Sequence, residues 1–533
     1  MNGNAETDLQ RILAYHERTK HRLERYAAGP ETLDWSAQPD PFRSFAGAER
    51  IPLPLTADAL SATYSDLHRP GALVPQALTL ESVALLLELS LALSAWKEYG
   101  PDRWSLRCNP SSGNLHPTEG YVVCRNVEGL EDGVYHYFSR EHALERRAQP
   151  VETNAGGGPP CLFIGLSSIH WREAWKYGER AFRYCQLDTG HAIGALRYAA
   201  AALGWGLRLV NSAGTGEIAS LLGLDRTANF IGAEAEEAEL LLEVTAASGT
   251  VSSLPLFGDL DWTGTANVLD SHPMYHWPVI DEVAAASRCP GGAQPAPPTA
   301  VYPPRSGLPT VTASTLIRQR RSAQRFDRNF EWEADECYAL LDALLARECA
   351  PWDVWNSAPA LHPVLFVHRI KGLAPGLYAL PRTASAESKL RSALRQDFAW
   401  TQPEGCPAHL PLFLLAEGGC MAAARTIDCH QAIAADSAFA LGMLAEFEDT
   451  LNTAPWRYRR LYWEAGLLGQ ALYLEAEARG LRGTGIGCYF DDAFHELLGL
   501  SGKAFQSLYH FTVGKPLSDP RITTEAPYVR TPA

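Results

Sequence analysis

Apolar residues recur at three- and four-residue spacing through two distant stretches, QLDTGHAIGALRYAAAALGWG around Gly190 and YWEAGLLGQALYLEAEARGLR around Gly466. That period predicts two helices. Gly204 and Gly480 fall where each would end, since glycine takes the left-handed C-terminal conformation without steric cost. Residues 465–478 are apolar nearly all round, which predicts burial between elements or between domains. Short apolar runs predict strands at 121–124, 162–165, 240–244, 364–367, 410–415 and 509–513. Long helices beside a sheet of few strands indicate an α+β fold and not a doubly wound parallel sheet.

The two helical stretches align without gaps at an offset of 276 residues. The same offset carries Gly204 to Gly480, and Leu221-Leu222-Gly223-Leu224 to Leu497-Leu498-Gly499-Leu500. Earlier, Asn114-Leu115-His116-Pro117 faces Ala360-Leu361-His362-Pro363 at an offset of 246. A duplicated unit explains these matches. The proline-rich run 290–309, PGGAQPAPPTAVYPPRSGLP, separates the copies, because proline fixes φ and removes a donor. The expected division is a 1–58 arm, an extended segment containing Trp35, Pro39, Pro41 and Phe42, then a 59–287 domain, a 288–309 linker and a 310–533 domain.

At 533 residues with 46% hydrophobic and 20% charged positions, the composition is that of an ordinary globular protein. The formal charge of −15 disfavours nucleic acid and anionic membrane partners, although one local basic pocket is compatible with it. The charged N-terminal segment does not read as a signal peptide, and no apolar run reaches the roughly 18 residues of a membrane helix. Eleven scattered cysteines without a CxxC pair read as free thiols, and a cytoplasmic location is expected.

Four segments carry candidate chemistry. Residues 318–327, RQRRSAQRFD, place Arg320, Arg321, Ser322 and Gln324 at the expected start of a helical region, where guanidinium forks and helix-end N–H groups suit a phosphate monoester. Residues 109–121, NPSSGNLHPTEGY, form a turn of small polar residues able to approach a flat polar ring and a polyol. His116 in that turn reads as structural. Residues 483–492, GTGIGCYFDD, read as a glycine-rich turn in which Gly483, Gly485 and Gly487 allow close backbone approach, with Asp491 and Asp492 capping the next helix. In VGKPLSDPR, residues 513–521, Lys515 and Arg521 add positive charge. No zinc spacing, P-loop or nucleophile elbow is present, and Asp428-Cys429-His430 is too local to hold a metal alone.

In this order, Arg320-Arg321-Ser322, the Pro110-Ser111-Ser112-Gly113-Asn114 loop before His116-Pro117, and the glycine-rich segment ending in Leu498-Gly499-Leu500 resemble the nitroreductase superfamily. Lys176-Tyr177-Gly178-Glu179-Arg180 followed by Gly190-His191 resembles its SagB-type dehydrogenase branch. The resemblance spans roughly 60–250 and 310–525. It implies an α+β fold that dimerises, with FMN at the interface, so that two tandem copies would make an intrachain pseudo-dimer. It also implies hydride transfer through flavin N5. SagB-type relatives oxidise azoline rings in peptides and need a base; other members reduce nitroaromatics or quinones with NAD(P)H. Lys176, Tyr177, Glu179 and His191 are the candidate proton-transfer groups, and Gln324 or a nearby arginine would face the flavin N1/O2 edge.

The copies depart from the pattern in complementary ways. Where the second has its Arg-x-Ser, the first has Asp66-Leu67-His68, and the acidic residue would repel a phosphate. Where the first has Pro110 to Asn114, the second has Asn356, Ser357, Ala358, Pro359 and Ala360. The expectation is one composite FMN site, from Arg320, Arg321, Ser322, Gln324, Gly485, Gly487 and Arg521 of the second copy with Pro110, Ser111, Ser112 and Asn114 of the first. The pseudo-symmetric site would be degenerate, with Arg69 the one nearby arginine. The alternative is a non-catalytic flavin-binding or partner-binding scaffold.

Overall fold

The segments with matched glycines form the helices Ala181–Ala202 and Arg457–Ala478, each 22 residues long and almost wholly buried. The apolar stretch 465–478 accounts for part of that burial, and the buried Arg183, Asp188, Arg459 and Glu464 are held by ion pairs and hydrogen bonds. Gly204 and Gly480 end them at φ +74° and +68°. The helices cross at their equivalent glycines. A Cβ on Gly190 would stand 2.3 Å from the Trp463 carbonyl oxygen, and one on Gly466 2.2 Å from that of Leu187. Equivalent residues meeting each other is the mark of an isologous interface, here within one chain. The computed structural model describes residues 2–151, 159–245, 257–292, 302–354 and 357–528; linker residues 293–301 and Asn356 lie outside the described residues.

Each copy carries the same five-strand core. In the first, Gly133–Phe138, Thr118–Arg125, Cys161–Ser168, Glu237–Thr245 and Gly206–Leu209 lie side by side. In the second, Gly376–Ala379, Leu361–Val367, Phe439–Glu446, Phe505–Gly514 and Arg482–Ile486 follow the same order. All these pairings are antiparallel. The sheets are broader than the apolar runs predict, with eight and six strands. Five of the six predicted strands fall inside observed ones; the run at 410–415 is displaced to Phe413–Glu417. The helices Thr215–Leu222 and Asp491–Leu498 repeat at the same offset, each closed by a left-handed glycine, Gly223 or Gly499.

The chain ends are exchanged between the copies. The N-terminal arm is not simply extended, because it opens with the helix Asn2–Arg18. His16 from that helix faces the Tyr458 hydroxyl at 3.2 Å, and Thr19 accepts from Arg183 Nε at 3.0 Å. The strand Arg50–Pro52 then joins the first sheet through Ala143–Pro150. In return, Thr523–Glu525 of the second copy pairs with Leu93–Tyr99 of the first, and the Tyr528 hydroxyl donates to Ser139 O at 2.7 Å. One hydrophobic core runs through both copies.

Equivalent arginines on the long helices reach across the interface. Arg183 pairs with Asp491 of the second copy at 2.9 Å, and Arg459 pairs with Glu239 of the first at 2.8 Å. Arg180 joins Asp491 at 3.0 Å. Burial alone would raise the Asp491 carboxyl, but the two arginines hold it far below the carboxylate range. This corrects the capping role expected of Asp491 and Asp492. Phe490 takes the N-cap position, Asp491 is buried under two guanidiniums, and Asp492 pairs with Lys20 at 2.9 Å. Non-local charge has overruled a local preference.

Candidate functional site

A cavity of about 680 Å³ opens between the copies. Its first-copy wall is the loop from Asn109 to Asn114 with Tyr177, Asp188 and His191; its second-copy wall is Arg320 to Gln324 with Tyr473 and Gly485 to Cys488. The arginine and serine stretches, more than 200 residues apart in the chain, thus share one space.

The arginine segment is built differently from expectation. Arg320 terminates the helix Ala313–Gln319, with φ −52° and ψ 129°, so the segment follows a helix C-terminus and helix-end N–H groups are not available there. The strap is instead pinned to the neighbouring strand. Ala323 N–H donates to Gly483 O at 3.0 Å, and the Thr484 hydroxyl donates to Ala323 O at 2.7 Å. The expected glycine-rich turn is therefore largely the strand Arg482–Ile486, paired with Phe505–Gly514. Its glycines clear space for aromatic neighbours: a Cβ on Gly485 would strike the Tyr509 hydroxyl, and one on Gly487 the Tyr184 ring.

Arg320 is buried, donates to the Cys108 and Arg107 carbonyl oxygens at 3.2 Å each, and lies 4.9 Å over the Tyr473 ring. Arg321 donates to the Ser94 hydroxyl and carbonyl, both at 3.1 Å, and to the Arg318 carbonyl at 2.8 Å. Their hydrogen-bond partners are carbonyls and one hydroxyl, none of them a carboxylate. Burial, with Arg320 beside it, pushes Arg321 down to about 10. Lys97 and Arg482 line the same cavity. A basic pocket therefore sits inside an acidic chain. Ser322 bonds the Tyr473 hydroxyl at 2.8 Å, and Gly485 N–H donates to that hydroxyl at 3.1 Å. Gln324 is exposed on the cavity wall.

Across the cavity the serine loop is tightly kinked. Gly113 and Asn114 have φ of +57° and +61°, and a Cβ on Gly113 would stand 2.4 Å from the Tyr177 hydroxyl. Pro110 leads into the loop, Ser111 Oγ accepts from His116 N–H at 2.8 Å, and Asn114 donates to Ser105 O at 2.9 Å. Ser112 donates through N–H and hydroxyl to Asp188, at 3.0 and 2.9 Å. Burial nevertheless pushes the Asp188 carboxyl up to about 7. His116 is buried with neither ring nitrogen hydrogen-bonded, and burial together with Arg107 and Arg172 keeps it neutral. His191 Nε2 meets the Tyr509 hydroxyl at 3.0 Å, and burial beside Arg320 lowers its pKa to about 3.

Ten of the eleven sequence-derived cofactor residues line the cavity; Arg521 does not. Arg521 is exposed, and its guanidinium binds Asp519 at 2.6 Å and Tyr99 at 3.2 Å. Lys515 is likewise turned to the Gly480 carbonyl at 3.1 Å. Glu179, a proton-transfer candidate, is held by Arg18 at 2.7 Å and lies outside the cavity wall. The reading of the sequence missed Lys97, Arg107, Tyr473, Asp188 and Tyr509. Tyr473 and Asp188 lie on long buried helices, and Lys97 lies in a strand paired both with the adjacent Asp102–Arg107 and with the distant Thr523–Glu525.

At the pseudo-symmetric position the chemistry differs. His68, standing where the repeat puts Ser322, bonds the Ala350 carbonyl at 3.1 Å. Beside it Glu475 pairs with Arg305 at 2.7 Å and with Arg479 at 2.5 Å. Glu464, the counterpart of Asp188, accepts from Ala360 N–H at 3.0 Å and pairs with Arg382. Arg69 is exposed and paired with Asp66 at 2.6 Å.

Among the described residues, no group of three or more His, Cys, Asp or Glu could hold a metal, and no helix is long and apolar enough to cross a membrane. The Nitroreductase family matches twice, over residues 72–233 and 317–515. A protein assigned as a nitroreductase in Methanocaldococcus jannaschii is 32% identical over 147 residues, which is 26% of this chain and 73% of that one. The trifolitoxin-processing protein TfxB of Rhizobium leguminosarum bv. trifolii is 31% identical over 160 residues, 26% of this chain and 42% of its own length. A crystal structure of a protein assigned as a nitroreductase from Anabaena variabilis superposes with a TM-score of 0.68, at 21% identity, covering 95% of this chain and 99% of its own.

Proposed function

The chain belongs to the nitroreductase family, and from that premise we propose that its inter-copy cavity binds one FMN and makes it a flavin-dependent oxidoreductase of the SagB-type dehydrogenase kind. The observation that carries this is the pair of buried Arg320 and half-buried Arg321, whose side chains are hydrogen-bonded to no carboxylate and line a cavity shared with the serine loop. A phosphate monoester would add negative charge to that of Glu477, which lies near both arginines without bonding their side chains. Unpartnered buried atoms, Asn109 Oδ1, both His116 nitrogens and His191 Nδ1, suit a heteroaromatic ring carrying donors and acceptors. The volume is within the roughly 300–1,000 Å³ usual for cofactor pockets. These residues fit FMN.

When bound, FMN supplies two-electron hydride chemistry at N5. Arg320 and Arg321 would neutralise its phosphate, and His116 and His191, held neutral by burial, would face its ring. Tyr177 lines the cavity, whereas Lys176 Nζ lies 5.3 Å over its ring without lining the cavity. Tyr177 is the group placed to take or return a substrate proton. Similarity to a trifolitoxin-processing protein supports a peptide-derived substrate; NAD(P)H-linked reduction of a small molecule is the other use of the same site. The pseudo-symmetric position, packed with ion pairs around Glu475, holds no flavin in this reading.

An absorbance spectrum of the purified protein, with flavin extraction and titration by NADH and NADPH, tests the proposal. One FMN per chain is expected. Two per chain would remove the single-site reading, and a colourless protein that takes up no FMN would leave the partner-binding scaffold.

A further inference from the structure

Beyond the flavin reading, we propose that Cys429 and Cys488 form a redox-active dithiol on the cavity wall, a modification site that closes to a disulfide when a hydroperoxide enters. The two sulfurs stand 2.7 Å apart, and both residues are partly exposed, whereas seven of the eleven cysteines are buried. Cys488 lines the cavity, and so does Gln431 two residues beyond Cys429. The geometry is held from both sides. Phe490 N–H donates to Ile427 O at 2.7 Å, and Gln431 Nε2 donates to Cys488 O at 3.1 Å, so hydrogen bonds bracket the sulfur pair.

The Cys429 backbone is itself unusual. Cys429 and His430 have φ of +51° and +61°, a left-handed conformation that non-glycine residues keep only where the surroundings impose it. Here the preceding residue imposes it: Asp428 is buried and bonded to His510 Nδ1 at 2.5 Å, and His510 Nε2 meets the Ser507 hydroxyl at 3.0 Å. The first copy offers a contrast, since the 276-residue offset puts Ser212 opposite Cys488. The thiol pair therefore accompanies the open cavity and has no counterpart in the other copy.

The chemistry balances without a metal. The hydrogen bond between the sulfurs favours the thiolate on Cys488, and Arg180, which donates to Gly487 O at 3.1 Å, adds to this against burial. The Cys488 thiolate attacks the terminal oxygen of the hydroperoxide. An S–O bond forms, the O–O bond breaks, and the leaving hydroxide or alkoxide takes up a proton, leaving a sulfenic acid. The Cys429 sulfur, losing its proton, then attacks Cys488 Sγ, and the oxygen departs as water. Two electrons pass from the sulfurs to the peroxide. The bridge joins the Cys429–Gln431 segment to the Gly487–Cys488 wall and fixes that side of the cavity.

The purified full-length protein, treated with hydrogen peroxide, alkylated and digested without reductant, gives the test by mass spectrometry. The expected result is a Cys429–Cys488 linked peptide with a mass loss of about 2 Da, two fewer alkylatable thiols, and recovery of both with dithiothreitol. Cys289, partly exposed and without a sulfur partner, stays alkylated. Cys429→Ser should carry oxygen on Cys488 in place of the bridge. Wild-type Cys488 that alkylates fully, oxidises without linking, or links to another cysteine would overturn the proposal.

Discussion

The two places where the copies meet use one scaffold for opposite electrostatic ends. At the cavity, buried Arg320 and half-buried Arg321 bond carbonyls and a hydroxyl and line open space, with Glu477 the nearby carboxylate. At the pseudo-equivalent position, Arg305 and Arg479 close on Glu475, and His68 packs against Tyr64 and Tyr198. Buried charge is costly unless it is paired. The second position closes its arginines in direct ion pairs; the first sets them near Glu477 without a direct side-chain ion pair. Stability and binding should therefore separate between the two positions.

The sharpest break of the comparison is Glu475→Gln. It strands two arginines and should cost about 3–5 kcal/mol of unfolding free energy in urea titration, with FMN affinity unchanged. Burial alone would raise the Glu475 carboxyl, but Arg305 and Arg479 hold it at about 2. A depressed carboxyl stabilises above its unfolded value of about 4.3. Wild-type stability should thus fall as pH drops from there towards 2, and the variant should lose that dependence. Equal loss of flavin affinity would erase the distinction between the positions.

Arg320→Ala should act the other way. FMN binding weakens by about 1.5–3 kcal/mol, roughly 10- to 150-fold, in fluorescence titration, whereas Arg69→Ala in the other copy leaves it unchanged. Comparable losses from both variants would mean two working sites.

The smallest effect comes from Ser112→Ala, which removes one of the loop's bonds to Asp188 and leaves it nearer the state of Ala360 opposite Glu464. A cost of about 0.5–1.5 kcal/mol is expected. Burial raises Asp188 to about 7 while Ser111 and Ser112 oppose the rise. A raised carboxyl gives stability that is present below about 3.9 and lost as pH climbs through 7. The alanine should deepen that loss in thermal melts across the window. An unaltered pH profile would show that Asp188 does not feel the loop.

The duplication was legible because glycine spacing records backbone contact. Gly190 and Gly466, matched in the chain, are where the helices touch, and Gly204, Gly480, Gly223 and Gly499 all end helices with positive φ. The composite cavity was legible because each intact motif survives in one copy alone. The rest was written in distant partners. Leu93–Tyr99 pairs on one side with the adjacent Asp102–Arg107 and on the other with Thr523–Glu525, more than 400 residues away, and no local pattern reveals that second partner. Residues 482–486 look like a glycine turn until the aromatic neighbours Tyr509 and Phe511 fill the missing side chains. Asp491 carries a perfectly good local preference for a cap, and only Arg180 and Arg183 from the other copy redirect it.

The exchanged chain ends bear on how the molecule is made. The strand Leu93–Tyr99 is synthesised more than 400 residues before its Thr523–Glu525 partner. Until then the first copy shows solvent an unpaired strand edge, the kind of edge that recruits other chains. A truncated first half would leave that edge uncovered, and Thr523–Glu525 covers it when it folds back onto the first copy.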